Sequence, residues 1–190
     1  VRAKDIGMQA LAITEHGTTS SHREFQRQTK EVGIKPILGV EAYFSPTDRF
    51  DRRAKKNREE ADSIYNHLII LAKDNKGLTN LQTANRVAWN EGFYLKPRWD
   101  MELLKKYSEG LIVTSGCVNG PLAKAFERGN ADAAYNWANE FKSVFNEDFY
   151  VEVQTHNPPA MNMALLQLAD DLAIKAVATC DCHHATAEDK

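Results

Sequence analysis

Short apolar runs alternate along this chain with segments whose apolar residues recur every three to four positions, and that alternation leaves few folds open. Residues 10–14, 37–44, 67–72, 111–114, 149–153 and 176–180 are short and rich in Ile, Val, Leu and Tyr, so they read as buried strands. Residues 20–32, 78–89, 101–107, 131–144 and 161–173 carry the 3.6-residue pattern and read as helices. Strand and helix alternating within one domain imply mostly parallel strands joined by helical crossovers, hence an α/β architecture.

Metal-type residues stand at the ends of these runs. Glu15-His16 follows Ile13, Glu41 follows Gly39-Val40, and His67 opens Leu68-Ile69-Ile70. Cys117 follows Ser115-Gly116, Glu152 runs on to His156, and Cys180-Asp181-Cys182-His183 closes the last run. Unrelated core residues have no reason to gather at one end of successive strands. A β/α barrel draws its reacting groups from the carboxyl ends of many strands, whereas a doubly wound sheet concentrates them near a switch point, so the barrel is favoured. The donors mix imidazole, carboxylate and thiolate, unlike the all-Cys or Cys/His quartets of closed structural zinc sites.

Each residue also has a plainer reading. On an extended backbone Asp181 and His183 share a face that Cys180 and Cys182 do not, so two ligands can address one ion. A zinc knuckle of Cys180, Cys182 and His184 competes, but its spacing is tighter than C-x₂₋₄-C and no second Cys pair exists. A carboxylate at Glu41, in apolar company, is costly unless a cation compensates it; its alternative is an edge-strand residue facing solvent. His67 and Cys117 serve equally well as packing residues. Glu152 and His156 are expected at the rim rather than as ligands, and His22 on a helix surface. Trp89, Phe93, Tyr94 and Trp99 are expected to cover the barrel mouth, with Lys96 and Arg98 beside them keeping base stacking open. Residues 45–60, dense in Arg and Lys, read as a basic surface loop. That loop either faces water or forms a phosphate-contacting rim through Arg52 and Arg53.

At 190 residues a single domain spanning 1–190 is the default. No apolar stretch approaches the ~20 residues of a membrane span, so no membrane partner is expected. Three cysteines, an odd number, point to a reducing compartment and the cytoplasm. A net charge of -2 argues against an autonomous nucleic-acid binder, so any DNA-binding surface is local. The chain opens on Val1 with neither an initiating Met nor a secretion signal, and Lys190 closes a polar segment. Both features read as a fragment of a longer polypeptide.

Several phrases carry a family likeness. They are Ala12-Ile13-Thr14-Glu15-His16-Gly17, Gly33-Ile34-Lys35-Pro36-Ile37-Leu38-Gly39-Val40-Glu41-Ala42-Tyr43, Glu91-Gly92-Phe93-Tyr94-Leu95-Lys96-Pro97-Arg98, Ser108-Glu109-Gly110-Leu111-Ile112-Val113-Thr114-Ser115-Gly116-Cys117, and Ala178-Thr179-Cys180-Asp181-Cys182-His183. In this order they resemble the PHP (polymerase and histidinol phosphatase) domains that open bacterial replicative DNA polymerase III alpha subunits. The resemblance implies a distorted seven-stranded β/α, TIM-like barrel with up to three divalent ions, zinc or manganese, at its C-terminal face. His16, Glu41, His67, Cys117, Asp181 and His183 fall on family metal-ligand positions, with Glu41, Asp181 and His183 expected in catalysis. The family's opening strand, with a His-x-His pair, would lie upstream of Val1, so the barrel is expected to lack its first strand. Two further departures are Glu15, where the motif usually has Asp, and His184, where Tyr often follows the last His.

The implied function is phosphodiester hydrolysis of the 3′-5′ proofreading exonuclease type, within a nucleotidyltransferase acting in DNA replication. Expected partners are the primer 3′ end of DNA, the remainder of the polymerase chain and other replisome subunits. Expected contacts on the DNA side are Lys96, Arg98, His156, Arg52 and Arg53. Two rival readings are a catalytically silent platform that stabilises a polymerase and a stand-alone histidinol-phosphate-type phosphatase. The polymerase-like phrases disfavour the latter.

Overall fold

The ten-residue strand β2 (Lys35–Phe44) organises the sheet, because its two faces have different tasks and three other strands lean on it. Val40, Ala42 and Phe44 are wholly buried against the helices. The alternate residues Gly39, Glu41 and Tyr43 therefore face the other side. Strand β1 (Ala10–Ile13) runs parallel to the first half of β2, from Ala10 opposite Lys35 to Ile13 opposite Leu38. Strand β3 (Asn66–Ala72) runs antiparallel to the second half, from Gly39 opposite Leu71 to Phe44 opposite Asn66. The computed structural model describes residues 2–52, 65–184, 186 and 188.

Beyond β3 the sheet continues through β6 (Leu111–Thr114), β7 (Phe149–Gln154) and β8 (Lys175–Thr179), after the hairpin β4 (Phe93–Tyr94) and β5 (Lys96–Trp99) has joined β2 on the other side. The order is β4-β5-β2-β3-β6-β7-β8, with β1 against β2. Helices α1 (Arg2–Asp5), α2 (His22–Glu31), α3 (Asn75–Asn90), α4 (Met101–Lys106), α5 (Pro121–Glu127), α6 (Ala131–Phe145) and α7 (Pro159–Asp171) intervene. The architecture is a curled, mixed sheet of the distorted β/α-barrel type. Its helix starts are written locally: Asp74, Asp100 and Asn130 each accept a backbone N–H three residues on, from Gly77, Leu103 and Ala133. Pro121 and Pro159 stand at the first turns of α5 and α7. The core between sheet and helices centres on Phe141, whose ring lies 5.5 Å from Phe44 and 5.3 Å from Phe149.

Two expectations change and a third is refined. Six of the eight described strands run the same way, while β3 is antiparallel to both β2 and β6, and β4 to β5. Apolar periodicity marks a strand but not its direction. Residues 93–99 form the β4-β5 hairpin, a pairing hidden by their Tyr, Lys, Pro and Arg content, and Trp99 is fully buried in the core rather than at the barrel mouth. His22 is not a helix-surface residue; it is 4% exposed, and its Nε2 lies 2.8 Å from the Gly39 carbonyl.

The close packing of β2 on β3 leaves Gly39 no room for a side chain. A Cβ there would sit 2.6 Å from the Ile70 carbonyl oxygen and 2.5 Å from Leu71 Cδ2. Gly39→Ala should force β2 and β3 apart and cost about 1–3 kcal/mol, lowering Tm by roughly 2–12 °C for a chain of this size. A calorimetric melt within a degree of the wild type would contradict this account of the β2-β3 approach.

Candidate metal centre

The chain leaving β1 keeps β2's register long enough to set His16 beside Glu41. The Glu41 N–H donates to the Glu15 carbonyl at 3.0 Å, and the Gly17 N–H donates to the Glu41 carbonyl at 2.9 Å. Gly17 then turns the chain away with φ 66°, where a Cβ would meet Pro97 at 2.8 Å and the Tyr43 ring at 2.9 Å. On the other side of β2, the antiparallel register brings His67 opposite Tyr43, two residue pairs from Glu41 along the same face. Glu41, 5% exposed, thus receives an imidazole on each carboxylate oxygen. His67 Nδ1 is 2.6 Å from Oε1 and His16 Nε2 is 3.5 Å from Oε2.

Cys117 joins from the end of β6. Gly116, at φ 77°, lies so close to His67 that a Cβ would be 2.6 Å from its carbonyl oxygen. The His67 N–H donates to the Asn119 carbonyl at 2.9 Å, and Cys117 Sγ lies 3.8 Å from His67 Nδ1. From the end of β8, the His183 ring lies 6.1 Å from that of His16. Asp181 precedes it by two residues, with Oδ1 3.8 Å from His183 Nδ1 and a left-handed φ of 46°. Tyr43, which the sequence did not single out, packs beside His16 and His67 at 6.0 and 5.6 Å, and Lys96 Nζ rides 5.1 Å from its ring centre. Its signal was its place two residues beyond Glu41, on the same face of one strand.

The remaining predicted contacts divide. His156 and Arg52 are exposed, whereas Arg53 lies outside the described residues, as does the rest of the predicted basic loop up to residue 60. Arg98 is not a rim residue. It is fully buried, and its guanidinium donates to the carbonyls of Gly92 at 3.2 Å, Arg49 at 2.7 Å and Asp51. Arg49, at the loop's start, is likewise 6% exposed; it pairs with Asp100 at 3.0 Å, Glu91 at 2.9 Å and Glu102 at 3.2 Å. These two arginines serve as backbone and carboxylate clamps, so the described part of the loop is not the basic surface its composition implied. Trp89 and Phe93 stack at 5.4 Å and stay about half exposed, with Trp89 Nε1 donating to the Gly17 carbonyl at 2.8 Å.

A buried carboxylate facing two imidazoles calls for a positive charge, supplied either by a proton or by a metal. Burial alone would lower the pKa of His67, but hydrogen bonds to Cys117 and Glu41 outweigh it and raise it to about 9. The donor set also fits a divalent ion. One donor atom each from His16, Glu41 and His67 lies within 4.8 Å of the others, and tetrahedral bonds of about 2.0–2.1 Å separate donors by about 3.4 Å. The His16–Glu41 separation of 3.5 Å matches that spacing, while the shorter His67–Glu41 contact is a hydrogen bond that an ion would replace. Two imidazoles and one carboxylate leave a coordination position open for water or substrate.

The proton form makes a prediction. A His67 pKa raised from 6.5 to about 9 gives stability that is fully present below pH 6.5 and lost as pH rises through about 9. In chelator, Tm should therefore fall between pH 6.5 and 9, and His67→Gln should flatten that part of the profile. Identical wild-type and variant profiles would contradict the pairing.

The model of the PHP domain family matches residues 1–156. DNA polymerase III subunit alpha of Aquifex aeolicus is 40% identical over 193 aligned positions, covering 100% of this chain and 17% of that protein. The Thermus aquaticus subunit is 38% identical over 183 positions, covering 95% of this chain and 15% of that protein. The chain thus spans about a sixth of the length of these curated relatives. An amidohydrolase structure from Chromobacterium violaceum superposes with a TM-score of 0.60 at 14% identity, covering 99% of this chain and 81% of that one, which is a likeness of fold. With most of its length matched by the family model, this chain belongs to the PHP domain family.

Proposed function

We propose that this chain is a metal-dependent phosphoesterase domain that hydrolyses the 3′-terminal phosphodiester of DNA, as the proofreading part of a longer DNA-synthesising polypeptide. The observation that carries this reading is Glu41, buried and approached by one imidazole on each oxygen. The polymerase identity of the most similar relatives supplies DNA as the substrate, and their greater length supplies the remainder of a polymerase chain as the covalent partner. Other replisome subunits are its natural neighbours. No described helix is long and apolar enough to cross a membrane, and the three free thiols suit the cytoplasm.

His16, Glu41 and His67 would hold one ion, and Cys117, Asp181 and His183 would extend the donor set. The chemistry such ions supply is Lewis-acid neutralisation of phosphoryl charge and a water acidic enough to act at neutral pH. Glu41, with two usable oxygens, fixes the spacing between the donor that follows β1 and the one on β3. Imidazole and carboxylate suit zinc and manganese alike, and a Cys117 thiolate tips the choice toward zinc. Lys96, above Tyr43, offers a cation to the incoming phosphate, and the exposed His156 and Arg52 would extend that rim.

Asp181→Asn removes charge without changing shape, so it should lower bound metal and reduce 3′-5′ cleavage of single-stranded DNA by at least the roughly 10- to 100-fold that a lost outer partner costs, while leaving Tm in chelator nearly unchanged. Chelator should abolish cleavage, and zinc or manganese restore it. Cleavage that persists in chelator would contradict the proposal, and stoichiometric metal without any cleavage would favour the silent platform. Lys96→Ser should reduce the log-log salt slope of single-strand binding by about 0.7. An unchanged slope would remove Lys96 from the DNA path.

A further inference from the structure

Glu152 lies in β7, on the face that Tyr150 and Gln154 share and away from the helix-packed Phe149 and Val151. It is 3% exposed, and the side chains bonded to it are neutral. Thr114 donates its hydroxyl to Oε2 and Thr179 donates its hydroxyl to Oε1. Gln154 Nε2 donates to Oε1 at 2.7 Å and lies 3.2 Å from the Thr179 hydroxyl. The backbone N–H of Glu152 donates to Ser115 Oγ at 2.8 Å. A carboxylate in such surroundings is expensive, and an aliphatic residue would fill a buried strand position at less cost.

The position of the two threonines accounts for that expense. Thr114 ends β6, three residues before Cys117, and Thr179 ends β8, two residues before Asp181. Strand β7 lies between β6 and β8 and pairs with both, so the ends of the outer two stand about 9.5 Å apart. Glu152, with one acceptor oxygen turned to each side, spans that gap with charge-assisted hydrogen bonds. Its backbone grips Ser115 on the same turn that delivers Cys117.

We infer that Glu152 is a positioning residue: through Thr114, Ser115 and Thr179 it fixes the separation of Cys117 from Asp181 and His183, and so holds two groups of donors in register for a common ion. This inference rests on the reading of those three residues as donors.

Cobalt(II) titration in a Cys180→Ser, Cys182→Ser background separates the two claims, because thiolate-to-cobalt absorption then reports Cys117, the one remaining thiol, while total bound cobalt also counts the His16, Glu41 and His67 position. Glu152→Ala should weaken the thiolate-reported binding 10- to 100-fold, the size expected for a lost outer partner, and leave the other position's affinity unchanged. Thr179→Val should act in the same direction with a smaller effect. Glu152→Gln, whose amide still engages both hydroxyls, should restore the band, as a purely structural loss of charge would not predict. Should Glu152→Ala fail to fold, Thr179→Val and Glu152→Gln carry the test. Unchanged thiolate absorption and affinity in Thr179→Val, or equal weakening of both positions, would overturn the positioning role. A background protein without thiolate absorption would instead remove Cys117 from the donors, and the inference with it.

Discussion

The structure depends on a carboxylate placed where carboxylates are unfavourable. Glu41 lies in a strand whose other face is buried from Leu38 to Phe44, and it is itself almost inaccessible to water. Its charge is tolerable only if positive charge or strong donors meet it. The fold supplies both neighbours from opposite sides of β2, His16 by extending the β1 register and His67 by the antiparallel register of β3. Gly39 admits the close approach of β3, and Gly17 lets the chain turn away at once after His16. Chain geometry around the centre therefore follows from the need to compensate one buried charge.

A second layer of polar contacts fixes the ends of the strands. Arg98 and Arg49 tie the segment after β2 to the β4-β5 hairpin and to Asp100, the cap of α4. Glu152 ties the ends of β6 and β8 across β7. The segments they hold lie where strands give way to loops, which is where a barrel carries its reacting residues. Their desolvation makes them poor sources of net stability but exacting determinants of position.

Much of this was legible in the sequence for identifiable reasons. The strands showed because each apolar run is bounded by polar or turn residues, and Glu41 stood out because a lone acid following Ile37-Leu38-Gly39-Val40 is costly to bury without a cation beside it. Arg98, Arg49 and His22 did not show, since a charged or polar side chain in a basic or helical stretch usually faces water. Only the tertiary structure reveals the carbonyls and carboxylates that satisfy them. Strand direction was hidden as well: β3 has the same residue pattern whether parallel or antiparallel. Glu152 looked like a rim residue because its partners, Thr114 and Thr179, are 38 and 27 positions away.

The charge at Glu41, on this account, is compensated by a metal ion shared with His16 and His67. Anomalous diffraction from crystals equilibrated with zinc or manganese tests that most directly. The account predicts a peak about 2.0–2.2 Å from one nitrogen of His16, one nitrogen of His67 and an oxygen of Glu41, with the His67–Glu41 hydrogen bond opened. A fully occupied ion elsewhere on the chain, with His67 still hydrogen-bonded to Glu41, would contradict it.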